Sequence, residues 1–172
     1  FFMRPVGGVL LGMYSDRKGR KAAMQMIIRL MTVSIAMIAF APDYLAIGMA
    51  APLLIVVARM LQGFATGGEY ASATAFLVES APAHRKGLYG SWQLVGQCLA
   101  VFSGAAMVAL VTHLCSPEAL DSWGWRIPFV LGLLIGPVGL WIRKHMEEPE
   151  EFVEARRQAN GQSPSLWQVL RE

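Results

Sequence analysis

Long, nearly uncharged apolar stretches fill most of this sequence, and their length restricts the chain to one kind of surroundings. They run over about 1–15, 22–41, 52–79, 88–111 and 127–143. A helix needs about 20 mostly apolar residues to cross the hydrocarbon core of a bilayer, with a range of about 17–25. Only the first stretch falls short. It begins in mid-run with Phe1 and not with Met, so it reads as the tail of a helix and the chain as a fragment. Soluble domains carry roughly 25% charged residues, whereas this chain carries 16%. The spans are continuously apolar and lack the alternation of a barrel strand. In lipid every backbone polar group needs an internal partner, and a helix supplies these within one segment. The expected fold is therefore an all-α integral membrane bundle over 1–143, with no room for a separate soluble domain. The remainder, 144–172, is polar. It contains Glu147-Glu148-Pro149-Glu150-Glu151, Asn160-Gly161 and a short amphipathic stretch from Ser165.

Orientation follows from the basic residues. Arg17, Lys18, Arg20 and Lys21 lie between the first two spans, Arg85 and Lys86 between the third and fourth, and Arg143, Lys144, Arg156 and Arg157 after the fifth. Those ten are two thirds of the fifteen Lys and Arg, while the two remaining connections hold only Arg126. The positive-inside rule places the first group of connections, and the segment 144–172, in the cytoplasm. Trp123 and Trp125 then mark the opposite interface, where indoles are favoured.

Several kinds of chemistry are not in view. Cys98 and Cys115 stand 17 residues apart on or near one helix, roughly 25 Å, which is beyond disulfide reach. No phosphate-binding Gly-rich string, H-E-x-x-H or G-x-S-x-G occurs. His84, His113 and His145 lie in connections or at span ends. No enzyme, cofactor, metal centre or nucleic-acid partner is expected.

Three strings carry specific information. The first is Gly12-Met13-Tyr14-Ser15-Asp16-Arg17-Lys18-Gly19-Arg20-Lys21, a tight basic turn between two spans. Gly19 permits a positive φ there, and Asp16 can cap a helix or pair with Arg20. The second, in the third span, is Arg59-Met60-Leu61-Gln62-Gly63-Phe64-Ala65-Thr66-Gly67-Gly68-Glu69-Tyr70. The third, Trp123-Gly124-Trp125-Arg126-Ile127-Pro128-Phe129, enters the last span. The first resembles the signature loop between the second and third helices of the major facilitator superfamily. The second resembles that superfamily's fourth helix. Its Gly-Gly-Glu ending, with the third string and with Ser91-Trp92-Gln93 and Gly96-Gln97, is similar to the metabolite:proton symporters, most closely those for citrate and 2-oxoglutarate. The resemblance covers nearly the whole chain. It implies helices two, in part, to six of the N-terminal half of a twelve-helix carrier in the bacterial inner membrane. The first helix and the second half would then be partners that this chain lacks.

Helical spacing gives the third span its own meaning. At about 100° per residue, Arg59, Gln62, Thr66, Glu69 and Tyr70 fall within an arc of roughly 100°. Gly63 and Gly67 lie beside it, where a second helix can come close. A charge near the bilayer centre costs about 2.5–3.5 kcal/mol on insertion scales. Two charges on one face point to a water-filled cavity. The plainer alternative, a direct Arg59–Glu69 pair fastening two helices, is excluded by about 15 Å of helix between them.

These residues form the candidate site. Arg59, with Gln62, would attract a substrate carboxylate, and Glu69 would carry the proton. Gln93 and Gln97 share one face of the fourth span. They would donate either to substrate or to neighbouring helices. Arg29 reads as a snorkelling or packing residue without a role. The Gly8–Gly12 and Gly132–Gly136 spacings read as packing notches. The resemblance implies a charge relay in which Glu79 and Arg85 meet Asp16 and Arg20, with Gly12, Arg17 and Gly19 in the same conformational gate. Without the resemblance, these would be solvated charges worth 0–1 kcal/mol.

The expected function is proton-coupled symport of a small organic acid by alternating access. The alternatives are a symporter of proline, betaine or shikimate, a non-transporting truncated membrane piece and, more distantly, an intramembrane enzyme. The topology has a direct test. In the complete carrier with its native cysteines replaced, single cysteines at 16–21, 84–87 and 150–160 should react with an impermeant maleimide only from the cytoplasmic side. Those at 43–48 and 115–122 should react only from outside. A cysteine at Ser116 labelled solely from the cytoplasm would reverse the assignment.

Overall fold

Gly19 makes the first reversal of the chain. It alone links α1 (Met3–Lys18) to α2 (Arg20–Ala39). Its φ of 103° and ψ of 155° lie where a Cβ is strongly disfavoured. Its N–H donates to the Ser15 carbonyl at 2.9 Å, and its own carbonyl accepts from Ala23 at 3.2 Å. Both helix ends are thus closed through one residue.

The computed structural model describes residues 2–145 and Val153. After α2, a short α3 (Tyr44–Ile47) precedes α4 (Ala50–Glu79). A 3-10 turn, Ala83–Arg85, opens α5 (Lys86–Leu114). Then α6 (Pro117–Ser122) and a second 3-10 turn, Gly124–Arg126, lead into α7 (Ile127–His145). No strand occurs among the described residues. Four helical stretches are long and apolar enough to cross a membrane: Arg20–Ala39, Ala50–Glu79, Ala83–Leu114 and Gly124–His145. Most of the polar segment 144–172 lies outside the described residues, including the Glu-Glu-Pro-Glu-Glu run, Asn160-Gly161 and the stretch from Ser165.

Helix ends and apolar ends do not coincide. Arg17 and Lys18 are the last turn of α1, and α7 continues through Lys144 and His145. Cations in a last turn oppose the negative end of the helix dipole, so the helix extends past the point where the apolar run stops. The two short helices α3 and α6 break up connections that hydropathy reads as plain loops. Ser116 starts α6 by accepting from the Ala119 N–H at 3.3 Å. The Glu118 backbone N–H and the Ser116 hydroxyl hold the Glu118 carboxyl below the ordinary carboxylate range.

Packing centres on α4, which meets α1, α2 and α5, while α2 also meets α7. The buried positions on α4 include Ala51, Ala58, Ala65, Gly68 and Ser72. Four of these recur every seven residues, and small side chains let the partner backbones approach. On α1 the facing residues are Gly7, Leu11 and Ser15. A Cβ on Gly7 would overlap the Phe64 carbonyl, and one on Gly67 would overlap the Arg4 carbonyl and lie 2.9 Å from the Gly8 nitrogen. The notch is therefore Gly7 against Gly67. The expected Gly8–Gly12 pair is corrected: Gly8 does approach Gly67, but Gly12 faces open space. Gly132 and Gly136 do abut another helix. A Cβ on Gly136 would lie 2.6 Å from Thr32 Oγ1, and one on Gly132 would lie 3.8 Å from Ile35 Cγ2. Gly139 extends this line against Ile28. Pro137 is exposed next to Gly136 on α7, so its ring stays off the α2 contact.

Outward faces are apolar. Leu99, Phe102 and Trp141 are 59%, 72% and 65% exposed. In water such a surface would aggregate, whereas lipid tails solvate it at no cost.

The two glycine environments separate cleanly by experiment. Gly7→Ala or Gly67→Ala should destabilise the protein in detergent by about 1–3 kcal/mol through overpacking. Gly12→Ala should stay within roughly 0.5 kcal/mol of the parent. Thermal unfolding followed by size-exclusion fluorescence reads both, and a larger loss for Gly12→Ala would refute the α1–α4 contact.

Candidate functional site

Three helix ends meet where the basic residues of α1 and α2 gather. The Gly19 reversal sets Arg20 one turn from Asp16, and α4 delivers Glu79 from the far end of its seam. Arg20 donates from Nε to Glu79 Oε1 and Oε2 at 3.2 and 3.1 Å, and from NH2 to Oε1 at 2.8 Å. Its NH1 donates to Asp16 Oδ1 at 2.6 Å and to Ser15 Oγ at 3.1 Å. One planar guanidinium thus joins two carboxylates and three helices, a geometry that lysine cannot reproduce. The side chains of Arg20 and Glu79 are only 16% and 22% exposed. Asp16 pairs with Arg20 and does not cap α2. Arg85, expected in the same cluster, stands apart. It is exposed in the 3-10 turn before α5 and forms no ion pair with Asp16 or Glu79. The turn points it away because α4 ends at Glu79 and Ser80–Pro82 carry the chain outward before Arg85 is reached. Arg17 is exposed on the last turn of α1, and Gly19 is buried at the link.

The polar arc of α4 is divided between two surroundings. Arg59 donates from NH1 to Gln62 Oε1 at 2.9 Å and sits over the Phe129 ring of α7, with Cζ 5.9 Å from the centroid. No carboxylate pairs with it among the described residues. Thr66 turns its hydroxyl back to the Gln62 carbonyl at 2.8 Å. Ten residues further on, Glu69 Oε1 lies 3.5 Å from Arg143 NH2 on α7. Their side chains are 39% and 17% exposed.

Glu69 and Arg143 stand at the polar part of a cavity of about 570 Å³ between α2, α4 and α7. Its other walls are mainly apolar, among them Met31, Ile35 and Phe76, with the Gly132–Gly136–Gly139 line of α7 opening the space. Arg59 is not part of this wall, so the single cavity suggested by the arc is corrected to two separate surroundings. Side chains on neighbouring helices divide the stripe, and these were not visible from α4 alone.

Arg143 was missed as a site residue, having been counted only with the basic residues after the last span. Its NH1 also donates to the Met24 carbonyl of α2 at 2.8 Å, and its own carbonyl accepts from Gln25 Nε2 at 3.4 Å. A signal existed: Arg143 continues the face of Gly132, Gly136 and Gly139 at helical spacing, and that face packs on α2. Gln93 and Gln97 sit on α5, half-buried and exposed. Neither amide forms a hydrogen bond among the described residues, so neither of the two roles expected of them is seen. Arg29 is exposed on α2. Among the described residues no cluster of His, Cys, Asp or Glu could hold a metal ion, and both cysteines are free thiols.

Comparison with known proteins adds a lineage to this geometry. Residues 1–161 match the family model described as sugar (and other) transporter. The chain is 38% identical over 175 residues to a citrate-proton symporter of Klebsiella pneumoniae, covering 99% of this chain and 39% of the relative. It is 42% identical over 152 residues to a Staphylococcus aureus (strain COL) protein assigned to proline/betaine transport, covering 88% of this chain and 33% of that one. The chain thus spans two fifths or less of the curated relatives it matches. The fold is similar to the inward-open xylose transporter XylE of E. coli, with a TM-score of 0.77 at 21% identity, over 94% of this chain and 40% of that one. These relatives are transporters and not enzymes. The apolar helices and the bacterial carriers among its relatives make this a multi-pass protein of the cell membrane. With a family model matched from end to end of its helices and the fold of a solved carrier half, the chain belongs to the sugar (and other) transporter family of the major facilitator superfamily.

Proposed function

We propose that the complete carrier containing this chain moves a small organic acid of the citrate or 2-oxoglutarate type together with protons, by alternating access. The observation that carries this reading is Arg59. An arginine stays charged at any accessible pH. Arg59 is held within an apolar helix by one neutral amide and one ring, while Arg20, Arg126 and Arg143 each have a carboxylate. A guanidinium with no anion in a low-dielectric setting favours a carboxylate ligand. Gln62 holds one of its branches, and Gln93 and Gln97 are further donors for the same ligand.

Glu69 supplies the titrating group. Its carboxyl faces the α2/α4/α7 cavity, where Arg143 stabilises the charged form and protonation would release it. Asp16, Arg20 and Glu79 form a latch that closes the cytoplasmic end in one state. Gly12, Arg17 and Gly19 shape its loop, and Arg85 joins in another arrangement of the halves. Sites of this kind lie at the interface of two pseudo-symmetric halves, so transport needs the rest of the carrier as well as this chain. The 42% identity to a protein assigned to proline/betaine transport supports a second reading, in which a zwitterion places its carboxylate on the same Arg59.

Uptake of labelled citrate, 2-oxoglutarate, betaine, proline and shikimate by the full-length carrier, with and without a protonophore, decides between them. Arg59→Lys keeps the charge and loses the fork, so KM for the transported acid should rise roughly tenfold. Glu69→Gln should abolish concentrative uptake and leave substrate exchange. A Glu69→Gln carrier that still concentrates substrate, in a gradient the protonophore still collapses, removes Glu69 from the coupling role. Uptake of betaine, proline or shikimate without either citrate or 2-oxoglutarate replaces the first reading with the second.

A further inference from the structure

The third string of the sequence, Trp123 to Phe129, lies at the end of the bundle opposite the Arg20 cluster, and its side chains form a continuous series. Arg126 donates from NH2 to Asp43 Oδ1 at 2.7 Å and to the Ala41 carbonyl at 3.0 Å, and from NH1 to the Ser122 carbonyl at 2.8 Å. So fixed, its Cζ stands 4.2 Å from the centroid of the Trp125 ring. Trp125 meets Phe129 edge to face, with centroids 6.2 Å apart and planes at 76°. Phe129 in turn lies under the Arg59 guanidinium at 5.9 Å. Cation, indole, phenyl and cation follow one another from the α2–α3 connection to the polar arc of α4.

Each contact has a physical reason. A cation prefers the negative face of an aromatic ring, and two rings prefer to meet edge to face. The consequence for Arg59 is orientation. Its bond to Gln62 fixes one branch at NH1, and about that one point the guanidinium plane can still turn. The Phe129 ring is a second point of attachment. Two points define the plane and leave Nε and NH2, which bond to no described residue, as a fork for the two oxygens of a carboxylate. A fork held in place before the ligand arrives avoids the ordering cost on binding.

We infer that Phe129 is a positioning residue for Arg59: its ring sets the guanidinium plane for two-point recognition of a substrate carboxylate, and Trp125, held by Arg126, fixes the ring. The inference rests on the reading of Arg59 as the carboxylate anchor, and the experiment separates the two.

Initial rates of uptake are measured in the full-length carrier with labelled citrate, 2-oxoglutarate and betaine, all of which carry a carboxylate. For whichever is transported, Phe129→Leu raises KM on the order of fivefold or more, the range expected of a lost cation–π contact, and leaves kcat within about twofold. Phe129→Tyr keeps the ring and restores the parental KM. Phe129→Met fills a similar volume without a ring and behaves as Phe129→Leu, which covers the case in which the leucine variant fails to accumulate. In the Arg59→Lys background the effect of Phe129→Leu disappears, because an ammonium has no plane to orient. If Arg59→Lys raises KM but neither ring-removing variant does, or if they lower kcat alone, Phe129 is structural and this inference falls while the anchor stands. If Arg59→Lys leaves KM unchanged, or none of the three acids is taken up, the anchor reading falls and takes this inference with it.

Discussion

The line of small residues along α4 is the contact on which the other helices are arranged. In water, helices would be driven together by burial of apolar surface. In lipid that drive is absent, because the tails are as apolar as the side chains. What remains is close packing of backbone on backbone, and this requires that side chains be missing at the crossing. Gly7 and Gly67 supply that at the α1–α4 crossing, where a single added Cβ on either would enter the other helix's backbone. Ala58, Ala65, Gly68 and Ser72 extend the seam, and α2 and α5 pack on the remaining sides of α4. α7 then joins through α2 by a second glycine line.

Charges sit where this packing leaves room for them, and each has a distinct surrounding. At the basic end, Arg20 binds Asp16 and Glu79 together. At the opposite end, Arg126 binds Asp43 across two connections. Further in, Arg143 reaches Glu69 while holding the Met24 carbonyl. Two arginines of α7 therefore bond to backbone carbonyls of α2 near its two ends, Ala41 and Met24. Such a pair resists sliding, because each guanidinium would lose several bonds at once. α4 holds the two groups that the proposed chemistry uses, Arg59 and Glu69, and each is met by a residue of α7. The helices that hold the bundle together are thus also the ones that surround its polar groups.

Much of this was legible in the residues themselves. The spans could be read because membrane solubility depends on local composition over about 20 residues. The Gly19 reversal could be read because few residues besides glycine tolerate such a backbone. The proximity of Asp16, Arg20 and Glu79 was legible only through resemblance to a family; charge alone gave no reason to join positions 59 residues apart. The heptad from Ala51 to Ser72 was present in the sequence as well, and it ends one repeat later on Glu79. That periodicity is a physical signal for the seam that leads into the cluster.

By itself, then, the sequence determined the helices, their lengths and the faces on which polar and small residues fall, since each follows from the residues of a single segment. Only the tertiary structure decided how those faces are rotated against one another. Gly12 was left in open space while Gly7 carries the contact. Arg85 was left out of the Arg20 cluster, and Arg143 was brought to Glu69 from a helix 74 residues away. Phe129 was placed under Arg59. Each of these depends on the angle at which one helix meets the next. That angle is set by the fit of side chains from two segments, and neither segment's sequence holds it alone.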